Sequence, residues 1–375
     1  MIRIFQPSLG QAEIDAVAEV FREQWPGAGP RVKAFEKAFA AYVGVGSEQT
    51  IAITSCTEGL FQSIAALELD AQDEVIMPTI SFIGAPHAVR AAGATVRLVD
   101  VDGLTLNPRV DQLEKVISSR TKAILLLHFG GQLEWIPAIA ELAKTRGIVL
   151  IEDAACGLGG RCEGREYGTF GDIGVWSFDS MKLLVTGDGG MMYVRDEILR
   201  RQIINRVSLG GVRPGFNEAA RKQVRWWEID PECWGRLAFM NDLVAAIGLV
   251  QIARIDNFIK RRREIAQRYD EAFASIPWIK LRPSCRDGIP YFYWIQTPPK
   301  SRDLLAYYLR EKGIYTTFRY WPIHRTQLYA DTGPYPEADR ASETTLLLPV
   351  HQNLSDSDVE RVIEIVIRFK ASARY

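Results

Sequence analysis

One lysine, Lys182, lies between an apolar segment and a glycine-rich turn, in the sequence VWSFDSMKLLVTGDGG over residues 175–190. A lysine that is partly withdrawn from water has a lowered pKa, which frees its amine as a nucleophile toward a carbonyl carbon. This position therefore favours a Schiff base between Lys182 and an aldehyde. The ordinary alternative for an isolated lysine is a surface side chain whose charged end reaches solvent.

A carboxylate, Asp153, ends the apolar segment GIVLIED over residues 147–153. A carboxylate at the end of a buried strand needs a partner, because an unpaired buried charge is costly. One suitable partner is the protonated nitrogen of a pyridine ring. The alternatives are that Asp153 caps the following turn or pairs with a core arginine.

Two further features would complete a site for a flat, phosphorylated ring. The segment SCTEGL over residues 55–60 joins a strand to a helix and presents helix N-terminal N–H groups, which attract phosphate. Phe82 follows the next strand and has a ring that could stack on another ring. Each feature alone also fits an ordinary capped helix or a core phenylalanine. Together with Lys182 and Asp153 they describe a pocket for pyridoxal 5′-phosphate.

The elements that position these residues follow from the hydrophobic pattern. Short apolar segments alternate with helical segments through the first two thirds of the chain, which predicts a mainly parallel sheet sandwiched by helices. Ligands of such sheets bind beyond the carboxyl ends of the strands, where the polar residues named above are found. The predicted strands are residues 50–54, 74–78, 95–100, 122–129, 147–153 and 172–178.

The remaining third of the chain has a different pattern. One long helix is predicted over residues 241–276, with Asn241 as its cap, followed by alternating strand and helix signals. We therefore predict a large cofactor-binding α/β domain over residues 1–250 and a smaller α+β domain over residues 251–375.

Composition restricts the partners. The 375 residues carry a formal net charge of −1, so bulk charge favours a small-molecule ligand over nucleic acid or a membrane surface. The N-terminal segment has neither a signal peptide nor a membrane-spanning pattern. We expect no metal site and a reduced, cytoplasmic location, because the five cysteines are scattered and none are paired at metal-ligand spacing. These are Cys56, Cys156, Cys162, Cys233 and Cys285.

Over nearly its whole length the sequence resembles the DegT-type sugar aminotransferases, a branch of the fold-type I pyridoxal-phosphate enzymes. The resemblance implies a fold-type I aminotransferase with a smaller α+β C-terminal domain. It also implies a homodimer in which the neighbouring subunit completes each active site. The motifs that carry it, in chain order, are QPSLGQAEIDAV, GPRVKAFEKAFAAYVG, TSCTEGL, MPTISFIGAPHAVRAAGATVRLVDVD, TKAILLLHFGGQ, LIEDAACGLGG, SFDSMKLLVTGDGG, AAIGLVQIARIDNFIKRRREIAQRY and LLLPVHQNLSDSDVERVI.

The resemblance implies roles for the candidate residues. Lys182 is similar to the catalytic lysine that forms the internal aldimine, Asp153 to the partner of the pyridine nitrogen, and Phe82 to the stacking aromatic. Phosphate contacts are implied for Ser177 and for the Cys56 and Thr57 backbone. Cys156 stands where relatives commonly place a Gln or His near the cofactor's phenolic oxygen.

The sequence also departs from the family pattern. Cys56 replaces a usual glycine, and GRLAFMNDL over residues 235–243 has Leu237 and Phe239 where relatives carry an Asn and an Arg. In the relatives that Asn reaches the partner's cofactor phosphate, and the Leu237 side chain has no hydrogen-bonding group for this cross-subunit contact. A nearby basic residue, such as Arg225 or Arg236, is a candidate substitute.

The aromatic-rich segment FRYWPIHRTQLY over residues 318–329 resembles the family's substrate segment. It supplies the candidate substrate-binding residues Arg319, Tyr320 and His324, with Arg319 at a position where His is common. An arginine can hold a carboxylate or phosphate through two parallel hydrogen bonds, so we expect Arg319 to bind an anionic group of the donor or the acceptor. The alternative is an ion pair with a structural carboxylate.

The implied reaction moves an amino group from an amino acid, by family habit glutamate, to a nucleotide-linked keto-sugar. Three alternatives stay open. The acceptor could be a ketocyclitol of antibiotic biosynthesis, or the protein could be a regulatory homologue that binds the cofactor without turnover. It could also be a pyridoxal-phosphate enzyme of another class, such as the sugar 3-dehydratases, but these carry histidine in place of the lysine, so Lys182 argues against them.

Overall fold

The computed structural model describes residues 1–211, 230–283, 287–331 and 333–369. The strands of this part of the chain are β1 (Thr50–Ile53), β2 (Glu74–Pro78), β3 (Thr95–Val99), β4 (Thr121–Leu127), β5 (Val149–Asp153), β6 (Arg161–Cys162), β7 (Arg165–Glu166), β8 (Ile173–Ser177), β9 (Gly190–Val194), β10 (Lys280–Leu281), β11 (Tyr293–Gln296) and β12 (Thr345–Leu348). Its α-helices are α1 (Gln11–Arg22), α2 (Pro30–Val43), α3 (Cys56–Ala65), α4 (Gly84–Ala91), α5 (Val110–Val116), α6 (Ile136–Arg146), α7 (Glu197–Val207), α8 (Asp242–Ile252), α9 (Ile255–Phe273), α10 (Pro299–Glu311), α11 (Pro336–Thr344) and α12 (Asp356–Arg368).

The centre of the molecule is a seven-stranded sheet in the order β1-β9-β8-β5-β4-β2-β3. Strands β8, β5, β4, β2 and β3 run parallel, whereas β9 is antiparallel to both of its neighbours. The predicted mainly parallel sheet is therefore confirmed.

Helices cover both faces of this sheet because successive residues of a strand point to opposite sides. Leu125 of β4 packs into one apolar cluster with residues of α3, α4 and α7, whereas the next residue, Leu126, packs into another with residues of α5 and α6. Farther along the sheet, Val175 of β8 packs into the first of these clusters, whereas the next residue, Trp176, packs into a third cluster on the other face. The interior is thus buried on two sides, as the continuous apolar strands predict.

A second, antiparallel sheet of β10, β11 and β12 packs against α9, α10 and α12. The prediction of one long helix over residues 241–276 is wrong in one respect. The structure has two helices there, α8 and α9. Arg254, between them, pairs with Glu13 at 2.8 Å, so a contact with α1 fixes the break. The predicted domain boundary at residue 250 falls within α8, and the division into two domains stays a prediction.

Candidate active site

Lys182 lies in the turn region between β8 and β9, at the carboxyl edge of the parallel strands. Asp179 shapes this turn: its carbonyl accepts from the Lys182 N–H at 2.8 Å, and its carboxylate accepts from the Met181 N–H at 3.0 Å. The half-buried Lys182 side chain places Nζ 5.2 Å from the centre of the Tyr291 ring. A backbone turn thus carries the amine inward, away from the surface position of the ordinary alternative.

The expectation of a lowered pKa for Lys182 is wrong. Burial lowers the pKa of the ammonium, but the nearby Tyr291 and Tyr320 hydroxyls, Cys156 and Asp153 together raise it well above its usual value. Removal from water favours the neutral amine only where no acidic group faces it. An ammonium held by these groups must lose its proton before the amine can attack an aldehyde.

Asp153 is the last residue of β5 and is buried at 1% exposure. One carboxylate oxygen accepts from the Ala155 N–H at 3.1 Å and lies 3.8 Å from the Cys56 sulfur. Burial raises the pKa of Asp153, and the Lys182 ammonium counteracts this only in part. A protonated ring nitrogen would give the carboxylate the positive neighbour that its burial calls for.

Helix α3 begins directly after β1 and has a defined N-terminus. Ser55 is its cap, with Oγ accepting from the Glu58 N–H at 3.1 Å. The N–H groups of Cys56 and Thr57, in the first turn, have no carbonyl within the helix to bond. Ser177 ends β8 and pairs across the sheet with Gly190, where an added Cβ would lie only 2.7 Å from the Cys56 nitrogen. The Ser177 strand end and the first turn of α3 thus meet around Gly190.

The candidate stacking residue Phe82 keeps 37% of its surface exposed. An added Cβ at Gly84 would lie 2.7 Å from the Phe82 ring and 3.2 Å from the Thr57 methyl group, so Phe82 and α3 converge on one point. Tyr320 contacts Phe82 edge to face, with ring centres 5.9 Å apart. The Tyr320 hydroxyl also interacts with the Cys156 thiol, and burial raises the pKa of that thiol to about 11. Cys156 is therefore a neutral, buried group beside the candidate ring site.

Arg319 is half-buried beside the lysine turn. Its guanidinium donates to the Met181 sulfur at 3.3 Å and lies 5.1 Å from the centre of the Phe5 ring. In the part of the chain that the structure describes, no carboxylate forms an ion pair with Arg319. The alternative of a structural ion pair therefore has no support among these residues.

His324 has a different environment from Arg319. It is 9% exposed, Nδ1 lies 2.6 Å from the Thr79 hydroxyl, and Nε2 lies 3.0 Å from the Asp339 carboxylate. Both ring nitrogens therefore have protein partners, and a direct substrate contact would have to displace one of them. The geometry favours a positioning role, since these bonds tie the segment that carries Arg319 to the end of β2.

The region of the cross-subunit departure is exposed. Leu237 has 64% of its surface accessible, and Phe239 forms an isolated bridge to Ile53 at the end of β1. Arg236, one candidate substitute for the missing contact, pairs with Glu58 of α3 at 3.3 Å. Arg225, the other candidate, lies outside the described residues.

Sequence reasoning missed Tyr291 as a site residue. Its ring lies next to the Lys182 amine, and its hydroxyl donates to the Met181 carbonyl at 3.2 Å. It belongs to the aromatic segment YFYWIQT, whose pattern predicts only a buried strand. His128, by contrast, is identifiable from the sequence as a polar residue that directly follows an apolar strand segment. It is buried and bonds through Nε2 to Glu152 at 2.8 Å.

The donor set fits pyridoxal 5′-phosphate. Two open helix N–H groups and the Ser177 hydroxyl suit a phosphate, a buried carboxylate suits a pyridinium, and the exposed ring of Phe82 and the amine of Lys182 complete the set. Among the described residues, no cluster of three or more His, Cys, Asp or Glu side chains could hold a metal ion. None of the helices within those ranges has both the length and the apolar character needed to cross a membrane.

Fold and site together define a fold-type I pyridoxal-phosphate enzyme. The family model described as the DegT/DnrJ/EryC1/StrS aminotransferase family matches residues 7–367. The chain therefore belongs to this family and is a pyridoxal-phosphate-dependent aminotransferase, which confirms the resemblance, the fold class, the enzyme class and the cofactor.

Individual relatives match over almost their full length. The dTDP-4-dehydro-2,3,6-trideoxy-D-glucose 4-aminotransferase of Saccharopolyspora spinosa is 43% identical, with 97% of this chain and 95% of the relative covered. The crystal structure of the aminotransferase TlmJ from Streptoalloteichus hindustanus is 47% identical, covers 98% of both chains and superposes with a TM-score of 0.92. The putative sugar aminotransferase Spr1654 from Streptococcus pneumoniae, in its PLP form, is 25% identical over 96% of both chains, with a TM-score of 0.86.

Proposed function

We propose that this aminotransferase moves the amino group of glutamate to the keto carbon of a nucleotide-linked sugar. Glutamate leaves as 2-oxoglutarate, and the keto-sugar leaves as an amino-sugar. The donor thus loses an amino group and gains a carbonyl oxygen, and the acceptor undergoes the reverse change. The observation that carries the proposal is the placement of the Lys182 amine beside Tyr291, at the sheet edge that also holds the buried Asp153 carboxylate.

The residues have distinct tasks. When bound, pyridoxal phosphate supplies an aldehyde that condenses with amines and a ring that withdraws electrons from the carbon bearing the amine. The Lys182 amine would hold the aldehyde carbon and, once freed by the donor, would be the group placed to take a proton from the donor α-carbon. Asp153 would keep the ring nitrogen protonated, because its buried carboxylate requires a cationic partner.

Other side chains fix the ring. The N–H groups of Cys56 and Thr57 and the Ser177 hydroxyl would hold the phosphate, and Phe82 would stack on the ring face. Cys156 would be a neutral neighbour of the ring, because burial raises the pKa of its thiol to about 11. Tyr320 contacts both Cys156 and Phe82 and would border the space for the acceptor.

Two kinds of relative support a sugar as acceptor. The name of the Saccharopolyspora enzyme specifies a dTDP-linked 4-keto-sugar, and Spr1654 is described as a putative sugar aminotransferase. The 43% identity to the first extends over 97% of this chain, so a nucleotide-linked 4-keto-sugar is the first acceptor to test. A ketocyclitol is the second.

Replacement of Lys182 tests the proposal. In wild-type holoenzyme reduced with borohydride, we expect peptide mapping to find the cofactor mass on the peptide that contains Lys182. Lys182→Ala should lack that mass and lose glutamate-driven conversion to the pyridoxamine form, because the covalent and proton-transfer group is gone. Attachment of the cofactor to another lysine would contradict the assignment.

The acceptor is tested separately. Wild-type enzyme in the pyridoxamine form should return to the pyridoxal form when mixed with dTDP-4-dehydro-2,3,6-trideoxy-D-glucose. A return with a ketocyclitol alone would replace the sugar as acceptor while leaving Lys182 in its role. Failure of glutamate to convert the wild-type holoenzyme at all would identify a cofactor-binding homologue without this activity.

A further inference from the structure

Arg319 carries a charge that the described residues do not neutralise. Its guanidinium has five N–H donors, but the hydrogen bond found for it goes to the Met181 sulfur, which is a weak acceptor. Phe5 covers one face of the guanidinium at 5.1 Å. A half-buried cation with unused donors is costly unless an anion satisfies it. The unused donors of Arg319 therefore indicate a binding site for an anionic ligand.

The location of Arg319 relative to the amine is unusually well defined. The guanidinium bonds the side chain of Met181, the residue that directly precedes Lys182. From the other side, Tyr291 bonds the Met181 carbonyl and lies next to the Lys182 amine. Phe5 stacks on Tyr291 with ring centres 6.2 Å apart and contacts Arg319. Arg319 and Lys182 therefore contact the same pair of stacked rings, Phe5 and Tyr291.

The charges around this space are predominantly positive. Besides Lys182 and Arg319, the fully buried Arg262 lies behind Tyr291. Among the described residues its hydrogen bonds go to neutral acceptors, the Tyr291 carbonyl and the Gln352 amide. Of the carboxylates, Asp153 belongs to the ring site, and Asp179 is held by the Met181 N–H. An added anion would therefore be stabilised near Arg319.

We propose that Arg319 binds the α-carboxylate of the amino-acid donor and acts on the donor half of the reaction only. This inference rests on the proposed function. The donor's α-carboxylate is attached to the carbon that carries the exchanging amino group, so it must lie close to the position of Lys182. The charges of a nucleotide-linked sugar are phosphates on the opposite side of the sugar ring from a 4-keto group, and the carbons next to that ketone are uncharged. The Arg319 guanidinium, which contacts the residue preceding Lys182, matches the first geometry.

Two half-reactions of the holoenzyme separate donor from acceptor. Pyridoxal-form enzyme is mixed with L-glutamate, and pyridoxamine-form enzyme with dTDP-4-dehydro-2,3,6-trideoxy-D-glucose, and each spectral change is followed in a single turnover. Arg319→Gln should slow the glutamate half-reaction by about 10- to 100-fold, the loss expected for a hydrogen bond to a charged group. The rate of the keto-sugar half-reaction in this variant should stay within about 3-fold of the wild-type rate, because no hydrogen bond to a charged group is lost in that half.

Binding without turnover gives an independent readout. Glutarate, a dicarboxylate that lacks an amine, should bind pyridoxal-form wild type in calorimetry and bind Arg319→Gln about 10-fold more weakly or worse. Arg319→Lys should recover part of the affinity, because it restores the charge but not the planar fork. The matched control is Arg310→Gln, an exposed arginine of α10, which should change neither half-reaction.

The outcomes distinguish the two proposals. Equal slowing of both half-reactions, slowing of the keto-sugar half alone, or unchanged glutarate binding would each overturn the role of Arg319. Failure of wild type to react with glutamate would instead overturn the proposed function, and glutarate binding would still report on Arg319 in that case.

Discussion

At the scale of single residues, Asp153 has the most sharply defined environment of the candidate groups. Its carboxylate is buried and bonded to one backbone N–H, and burial raises its pKa. Asparagine has nearly the same shape and can still accept from Ala155, but it carries no charge. Asp153→Asn therefore separates the electrostatic task of this residue from its structural one.

We expect Asp153→Asn to fold and to lose turnover. The glutamate half-reaction should slow by roughly 100- to 1,000-fold, comparable to the loss of one fixed electrostatic group in an active site. The melting temperature without added cofactor should not fall, because the neutral amide avoids the cost of burying a carboxylate. Stopped-flow absorbance and calorimetry measure the two quantities. A variant with the rate of wild type would show that the ring nitrogen needs no charged partner here.

Single residues also show what the sequence can and cannot predict. Lys182, Asp153, Ser177 and Phe82 follow apolar segments, and the parallel sheet brings such strand ends to one edge, so their convergence was predictable. Tyr291 was not, because a residue about 110 positions beyond Lys182 reaches it only through the packing of the second sheet. The prediction of a lowered pKa for Lys182 was wrong for the same reason, because the acidic groups that raise this pKa come from other segments of the chain.

At the scale of elements, the site depends on the close approach of β9 to the N-terminus of α3. An added Cβ at Gly190 would lie 2.7 Å from the Cys56 nitrogen, 2.8 Å from the Ser55 carbonyl carbon and 2.9 Å from the Trp176 oxygen. All three are backbone atoms, so a side-chain rotation cannot relieve the overlap. The glycine-rich turn after Lys182 is thus required by the strand that follows it.

Gly190→Ala should therefore displace the first turn of α3 and weaken phosphate binding. We expect the affinity for pyridoxal phosphate, measured by fluorescence titration of the cofactor-free enzyme, to fall by about 10-fold or more, as the loss of charge-assisted hydrogen bonds implies. The matched control is Gly27→Ala, where an added Cβ would meet nothing closer than the Trp25 ring nitrogen at 3.7 Å. Equal cofactor affinity in the two variants would exclude a phosphate site at this helix.

The elements that the sequence failed to predict share one physical cause. The helical periodicity of residues 241–276 continues through Ile252, Ile255 and Phe258, so the break at Arg254 is invisible in the pattern. The break is set by Glu13, which accepts hydrogen bonds from both Gln251 and Arg254. Strands β9 and β12 were also missed, and each has a partner far away in the sequence: β9 pairs with β1, and β12 pairs with β11. Local propensity yields to long-range contacts in all three cases.

At the scale of the whole molecule, the site joins the two sheets. The seven-stranded sheet supplies Lys182, Asp153 and the start of α3, whereas Tyr291 and Arg319 come from segments around the three-stranded sheet. Asp100, after β3, accepts hydrogen bonds from the first turn of α11 at 2.9 and 3.0 Å, and Thr79, after β2, accepts from the Ile323 N–H at 2.7 Å. These bonds fix α11 and the segment that carries Arg319 against the edge of the seven-stranded sheet.

The surface next to this site predicts a homodimer. Trp234 is 95% exposed and Leu237 is 64% exposed, and large apolar side chains left in water at this extent are typical of an interface. We expect wild type to sediment as a dimer, at twice the 42.2 kDa mass of the chain. The double variant Trp234→Glu and Leu237→Glu should shift toward the monomer, because burying two carboxylates without partners is costly.

The control for this prediction is Ile367→Glu, a charge placed on an apolar residue of α12 that is 52% exposed, and it should leave the dimer intact. If a neighbouring subunit completes each active site, the monomeric double variant should also bind pyridoxal phosphate more weakly than the control, and titration at equal chain concentration measures this. Sedimentation of wild type at the mass of one chain would contradict the dimer. A double variant that became monomeric with undiminished cofactor affinity would show that the cofactor phosphate needs no contact from a neighbouring subunit.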